Sequence, residues 1–300
     1  MSSSPDPFLS PASVAGPRTS GKAIASLVLG LGSLFCSIIT AIPGLILGIM
    51  SLGEISRSEG RVSGRGMAIT GIVLSVALPL LNIVCLLIAL LVPAVGAARQ
   101  AARRAVSANN LRQITMAAHQ YESQNGRFPA AVDTSKGAPV SWRVAILPFL
   151  EQISLYKLYD QTQLWDGEKN RAVSDRHMPS YNSPEDTRSN KSHYLAVVGP
   201  GTAFEGNKPI DLQRFGSFSQ TILYVEADAT VPWAEPKDHN YNPADPSAGL
   251  GGLRPGVFVA AMGDGSVRMI PTDTDPDVLR ALMSRDGGDN EAIDSSLLDR

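Results

Sequence analysis

Apolar residues are distributed very unevenly along this chain. Between Lys22 and Glu54 there is no charged residue, and Ala23 to Leu52 is mostly Leu, Ile, Val, Ala and Gly. A helix needs about 20 apolar residues to cross the hydrocarbon core of a bilayer. The run therefore predicts a first membrane span, bent at Pro43-Gly44. A second uncharged run, from Gly66 to Ala98, contains Pro79 and Asn82 and predicts a second span. Two runs of this length without a charge argue against a pair of buried helices in a soluble core. Gly44 and Gly48 form a small-xxx-small pair suited to close helix packing in the membrane, with Gly30, Gly32, Gly66 and Gly71 as further small positions.

Past the second run the pattern becomes amphipathic. From Ala97 to Tyr121, small and apolar residues recur at Ala101, Ala105, Ala108, Leu111, Ile114, Ala118 and Tyr121, with Arg99, Arg103, Asn110 and Gln113 opposite. This predicts that the second span runs on as one long helix, stopped by Asn125-Gly126 and Phe128-Pro129. Helical spacing returns at Phe149, Ile153 and Tyr156. Short strands are expected at Tyr194 to Val198, Thr221 to Glu226 and Val257 to Met262. Asp264-Gly265, set between two apolar stretches, predicts a hairpin turn, and Pro276 to Met283 a short helix. The fold class expected is a membrane-anchored α+β protein. Its two transmembrane helices would lead into a long helix packed on an antiparallel β-rich head. The expected divisions are a disordered tail over 1–21, a two-span module over 22–96, helix and head over 88–271, and a short helix with an acidic tail over 272–300.

Composition adds little to this and removes some alternatives. The net charge of −2, with no dense run of Lys and Arg, excludes a nucleic-acid partner. Both cysteines, Cys36 and Cys85, fall in the apolar runs, which leaves the polar part without a disulfide or thiolate metal site. Charge also bears on orientation. Arg57, Arg61 and Arg65 between the two runs place that loop in the cytoplasm and export both termini. Arg18 and Lys22 before the first run, with Arg99, Arg103 and Arg104 after the second, pull the other way.

Candidate chemistry is sparse. His119, His177, His193 and His239 show no pairing at metal-ligand spacing, and no Gly-x-Ser-x-Gly elbow marks a nucleophile. Glu226 and Asp228 would share one face of a strand, where paired carboxylates can do acid/base work but more often end a sheet as salt bridges. Calcium is the ion best suited to the oxygens of Asp273 to Asp277 and of Asp286 to Glu291, yet neither run follows the EF-hand order. Trp142, Trp165 and Trp233 sit among apolar or proline residues, which favours packing over a ligand platform. No enzyme activity and no cofactor is expected.

Two resemblances rest on particular stretches. ASLVLGLGSL, LILGIMSLGEISRS and GRGMAITGIVLS resemble the two-span bacterial module known as domain of unknown function 4190. LIALLVPAVGAARQAARRAVSANNLRQI, SWRVAILPFLEQISLY, YLAVVGPGTAF, QTILYVEADATVPWAEP and GVFVAAMGDGSVRMI resemble domain of unknown function 1559, a pilin-like family expanded in planctomycetes. That family's C-terminal His-x9-Asp-Gly signature reads Arg254, Asp264, Gly265 here, its mid-domain Cys-Pro reads Ser183-Pro184, and its prepilin start is replaced by the two-span module. The resemblance implies a structural or interaction protein in the bacterial cytoplasmic membrane with an exported head and both termini outside. Its partners would be the lipid bilayer, other envelope proteins or further copies of itself through the membrane helices. An anchored extracytoplasmic sensor or ligand-binding module is the alternative.

Overall fold

The computed structural model describes residues 18–36, 38–186, 190–208, 210, 215 and 217–286. The expected tail over 1–21 and the end of the acidic tail fall largely outside them. The chain forms two compact units, Met1–Ala97 and Ala98–Arg300.

The first unit is helical. A two-residue strand β1 (Arg18–Thr19) leads into α1 (Gly21–Cys36), followed by α2 (Ile38–Arg57), β2 (Val62–Ser63) and α3 (Arg65–Asn125). The first apolar run is therefore two helices rather than one bent span. Pro43 lies inside α2 without ending it. The two helices pack antiparallel, because small residues let their backbones meet. Ser26 Oγ donates to the Gly44 carbonyl at 2.8 Å, across 18 positions of chain. A Cβ placed on Gly44 would lie 2.6 Å from Ser75 Oγ of α3, and one on Gly48 would lie 2.7 Å from Ser26 Oγ and 2.5 Å from Ile72. These two glycines thus sit where α1, α2 and α3 come together.

The open ends of this hairpin are tied to each other. β1 pairs with β2 in parallel, the Ser20 amide donates to the Ser63 carbonyl at 3.0 Å, and Lys22 bridges Glu54 at 3.0 Å. Arg18–Thr19 and the Arg-rich segment before α3 thus lie at the same end of the helices. Two helices, over Ile39–Arg57 and Arg65–Asn125, are long and apolar enough to cross a membrane.

The second unit is α+β. After α3 come β3 (Val132–Asp133), β4 (Val140–Ser141), α4 (Trp142–Ala145), α5 (Ile153–Leu158) and α6 (Glu168–Ser174). Then follow β5 (Lys191–Val198), β6 (Ile222–Pro232), β7 (His239–Asn240), β8 (Val257–Met262), β9 (Val267–Pro271) and α7 (Pro276–Met283). Five strands make a sheet in the order β7-β5-β6-β8-β9, antiparallel except for the short edge pair β5–β7. Alternation along the strands divides the core in two. Tyr194, Ala196, Val259 and Ala261 face Leu111, Ile114, Ala117 and Ala118 of α3, while Leu195, Val197, Phe258 and Ala260 face Val278, Leu279, Leu282 and Met283 of α7. An irregularity between Ile222 and Tyr224 puts Leu223 and Tyr224 on the same side. That shift also turns Glu226 toward α3.

On α3 itself the inward face differs from the expected stripe. Ala101 and Ala105 are exposed, whereas Ser107 and Asn110 are buried. The Asn110 amide donates to the carbonyl of Asn182 at 3.1 Å and to the Tyr194 hydroxyl at 3.3 Å, so its polarity is satisfied inside.

Gly48→Val should strain the three-helix packing, since overfilling a close contact costs about 1–3 kcal/mol. Its thermal midpoint in detergent, followed by circular dichroism, is expected to fall by several degrees. Gly53→Ala, at a position where a Cβ meets nothing within 4 Å, should leave it unchanged. Equal melting of the two variants would remove the packing role given to Gly48.

Candidate functional site

The polar chemistry of the head collects in two buried ion pairs. The first begins at α4. Ser141 caps that helix, its Oγ accepting from the Arg143 amide, and the turn points Arg143 into the core, where it is fully buried. Its guanidinium meets Asp238 at 2.7 Å and donates to the Tyr194 carbonyl from both Nε and Nη2, at 3.1 and 2.9 Å. Asp238 Oδ1 in turn accepts from the Ala196 amide at 2.9 Å and the Trp142 indole at 3.0 Å. Burial pushes the Asp238 carboxyl up, against the pull of Arg143 and of these donors. The pair satisfies backbone groups on the outer edge of β5 that the two-residue β7 does not reach.

The second pair lies under α3. Glu226, on β6, bonds to Arg254 and accepts at Oε1 from Ser107 at 2.8 Å and Ser183 at 2.6 Å. Arg254 also donates to Ser107 Oγ at 2.8 Å and approaches Glu185, which Arg103 holds from outside at 2.8 Å. Burial lowers the Arg254 guanidinium, and Glu185 opposes the shift. Two residues along, Asp228 accepts from the amides of Gly252 and Leu253 at 2.6 and 3.1 Å. It thereby pins the loop that delivers Arg254. The two carboxylates do separate structural work.

Arg254, Asp264 and Gly265 are not brought together. Arg254 precedes β8 and the Asp-Gly turn follows it, so the strand separates them. The turn has the conformation its residues suit: Gly265 has φ +85°, and Asp264 Oδ1 accepts from the Ser266 amide at 2.8 Å. His119 of α3 reaches the same turn, with Nε2 2.8 Å from the Gly263 carbonyl. His193 lies between the Ala227 carbonyl and Asp186, so its ring belongs to the sheet's packing. Asp275 caps α7 and Asp277 pairs with Arg280. Asp289, Asn290 and Glu291 lie outside the described residues. Among the described residues no group of three or more His, Cys, Asp or Glu is placed to hold a metal ion. Trp142 and Trp233 are fully buried, and Trp165 packs at the edge of the core.

Residues 96–217 match the family described as protein of unknown function (DUF1559). Residues 22–85 match the domain of unknown function (DUF4190), so the two follow in the order read from the residues. No curated protein and no solved structure gives a match. The DUF1559 stretch contains Ser107, Arg143 and Ser183. Their charged partners Glu226, Asp238 and Arg254 lie beyond it, so each buried pair joins the matched stretch to the following strands. The pairing of Arg143 with Asp238 is not visible from sequence spacing. The available signal was one arginine inside SWRVAILPF, since a lone charge in an apolar run needs a buried counter-ion.

Removing one partner of a buried pair strands the other. Glu226→Gln or Arg254→Met should each cost about 3–5 kcal/mol, and the double variant Glu226→Leu/Arg254→Met should recover most of that loss. Denaturant unfolding followed by tryptophan fluorescence checks both, and additive losses would refute the coupling. Burial also holds His239 below its ordinary 6.5, with Asp228 opposing. The unfolded chain takes up a proton below that pH which the folded chain resists, so stability present above it is lost as pH falls. His239→Gln should flatten this acid limb in melts between pH 7 and pH 5.

Proposed function

We propose that this chain is a membrane-anchored, pilin-like structural or interaction protein whose head lies outside the cytoplasm. One observation carries the anchoring. Leu80, Leu81, Ile83, Val84, Leu86, Leu87, Ile88, Leu90, Leu91, Val92 and Val95 of α3 are all between 39% and 67% exposed. They cover the whole circumference of the helix. In water, so large an apolar surface would drive association; in a bilayer it is solvated. The pilin-like part of the reading draws support from the way Leu111, Ile114, Ala117 and Ala118 pack onto the sheet. In the head, the buried charges form two internal pairs, Arg143 with Asp238 and Glu226 with Arg254, which suits a rigid module recognised by its surface.

A second reading, an anchored ligand-binding head, is favoured by one feature. A cleft of about 380 Å³ is lined by Val132, Gly199, Asn207, Lys237, Asp238 and Asn240, and the buried Asp238 Oδ2 has no hydrogen-bond donor among the described residues.

Alkaline carbonate strips peripheral proteins from membranes and leaves spanning ones behind. The intact chain is expected to stay in the membrane pellet after carbonate and to leave it only in detergent. Release by carbonate alone would sink the anchored reading.

A further inference from the structure

Three features of the first unit concern how it meets the bilayer. The start of α1 and the end of α2 are held together by β1–β2 pairing and by Lys22–Glu54. Arg18, Lys22, Arg57, Arg61 and Arg65 are all exposed at that same end. The hairpin's other end lies halfway along the apolar part of α3. Leu34, near the end of α1, accepts from Asn82 Nδ2 at 3.4 Å, and Asn82 is the central residue of the charge-free run 66–98. Beyond Asn82, α3 is bare and apolar on every side up to Val95.

We infer that α1 and α2 form a re-entrant hairpin, which enters and leaves the bilayer through one face with its tip near the mid-plane. Its basic ends rest on anionic phospholipid headgroups. The inference builds on the membrane-anchored reading and adds which segments share a side. Lengths support it. α1, with 16 residues, rises about 24 Å, short of a hydrocarbon core of about 30 Å. α2, with 20, rises about 30 Å and would cross that core only if it stood upright beside a tilted α3. The 33 charge-free residues of α3 rise about 50 Å, so they fit only when tilted. A tilt that accommodates α3 reduces the depth of the hairpin packed along its first half. A hairpin crossing the whole core would instead leave Leu86 to Val95 in water.

The tip has the polar provision that such a position demands. The last carbonyls of a helix have no partner within it, and hydrocarbon supplies none. Asn82, the lone side-chain amide in the run, donates to one of them. At the other end, five basic side chains against Glu54 and Glu59 match the negative surface of the cytoplasmic leaflet.

Single-cysteine accessibility in intact cells and inverted membrane vesicles tests this, on the full chain with Cys36→Ser and Cys85→Ser. Thr19→Cys and Glu59→Cys should both react with a membrane-impermeant maleimide in inverted vesicles and at least ten-fold less in cells. Ile39→Cys, close to the tip and 80% exposed in the absence of lipid, should react from neither side until detergent is added. Labelling of Thr19→Cys and Glu59→Cys from opposite faces would overturn the hairpin. So would reaction of Ile39→Cys from the face opposite Glu59→Cys, which marks two full crossings. Lys136→Cys, in the head, reports separately on the proposed function. Labelling in cells supports an extracytoplasmic head; labelling only in vesicles sinks that part and leaves the hairpin result standing.

Discussion

An open sheet edge must be finished by something, and in this head the finish is an ion pair. Arg143 takes the Tyr194 carbonyl and Asp238 takes the Ala196 amide, so the two side chains occupy the bonding positions of a neighbouring strand. Much of the head is organised around that contact. Trp142 reaches Asp238 through its indole, and Tyr181 donates to the Arg143 carbonyl at 2.7 Å. Trp142 packs against Tyr224, and Tyr181 stacks on Trp233. Two charges in a dry interior are stable only when each finds several donors or acceptors, and here each does. The irregular segment between α3 and β5 is thereby fastened to the sheet with few regular backbone bonds of its own.

The second pair, Glu226 with Arg254, acts at right angles to the first in its logic. It fixes a helix to a sheet face rather than a coil to a sheet edge. Ser107 is shared between both charges, so the position on α3 where packing begins is chosen by a hydroxyl and not by an apolar side chain. Glu185 and Arg103 extend the chain of charges to the surface, which moderates the desolvation of Arg254. Loss of one member would be felt at the helix, the loop before β8 and the loop before β5 together.

The regular elements were legible because local pattern decides them. Val257–Met262 is the strand and Pro276–Met283 the short helix expected there, and Asp264-Gly265 turns as its residues require. What was hidden depends on partners distant in the chain. Nothing near Arg143 announces Asp238, 95 positions on, and Arg254 resembled part of a turn signature although its partner is across the sheet. Asn110 was assigned to the outer face because it is polar, yet three groups from other segments satisfy it inside. The first apolar run misled for a related reason. Hydropathy counts residues and is blind to where a chain folds back, while the packing of α1 on α2 and α3 rests on close contacts at Ser26, Gly44, Gly48 and Ser75 that join positions far apart in the chain.

The bare stretch of α3 has a consequence for recognition. From Ile83 to Val92, ten residues include no side chain that could form a strong hydrogen bond to a neighbouring helix. Around its axis the segment is chemically uniform, so lipid and any neighbouring helix meet the same surface at every rotation. Pro93 supplies the one break in that symmetry, since it lacks an amide proton and frees a carbonyl one turn earlier. Azimuthal information in this segment therefore resides in the backbone carbonyl that Pro93 leaves free rather than in side chains, and replacing Pro93 by an apolar residue with an amide would erase it with little change in hydrophobicity.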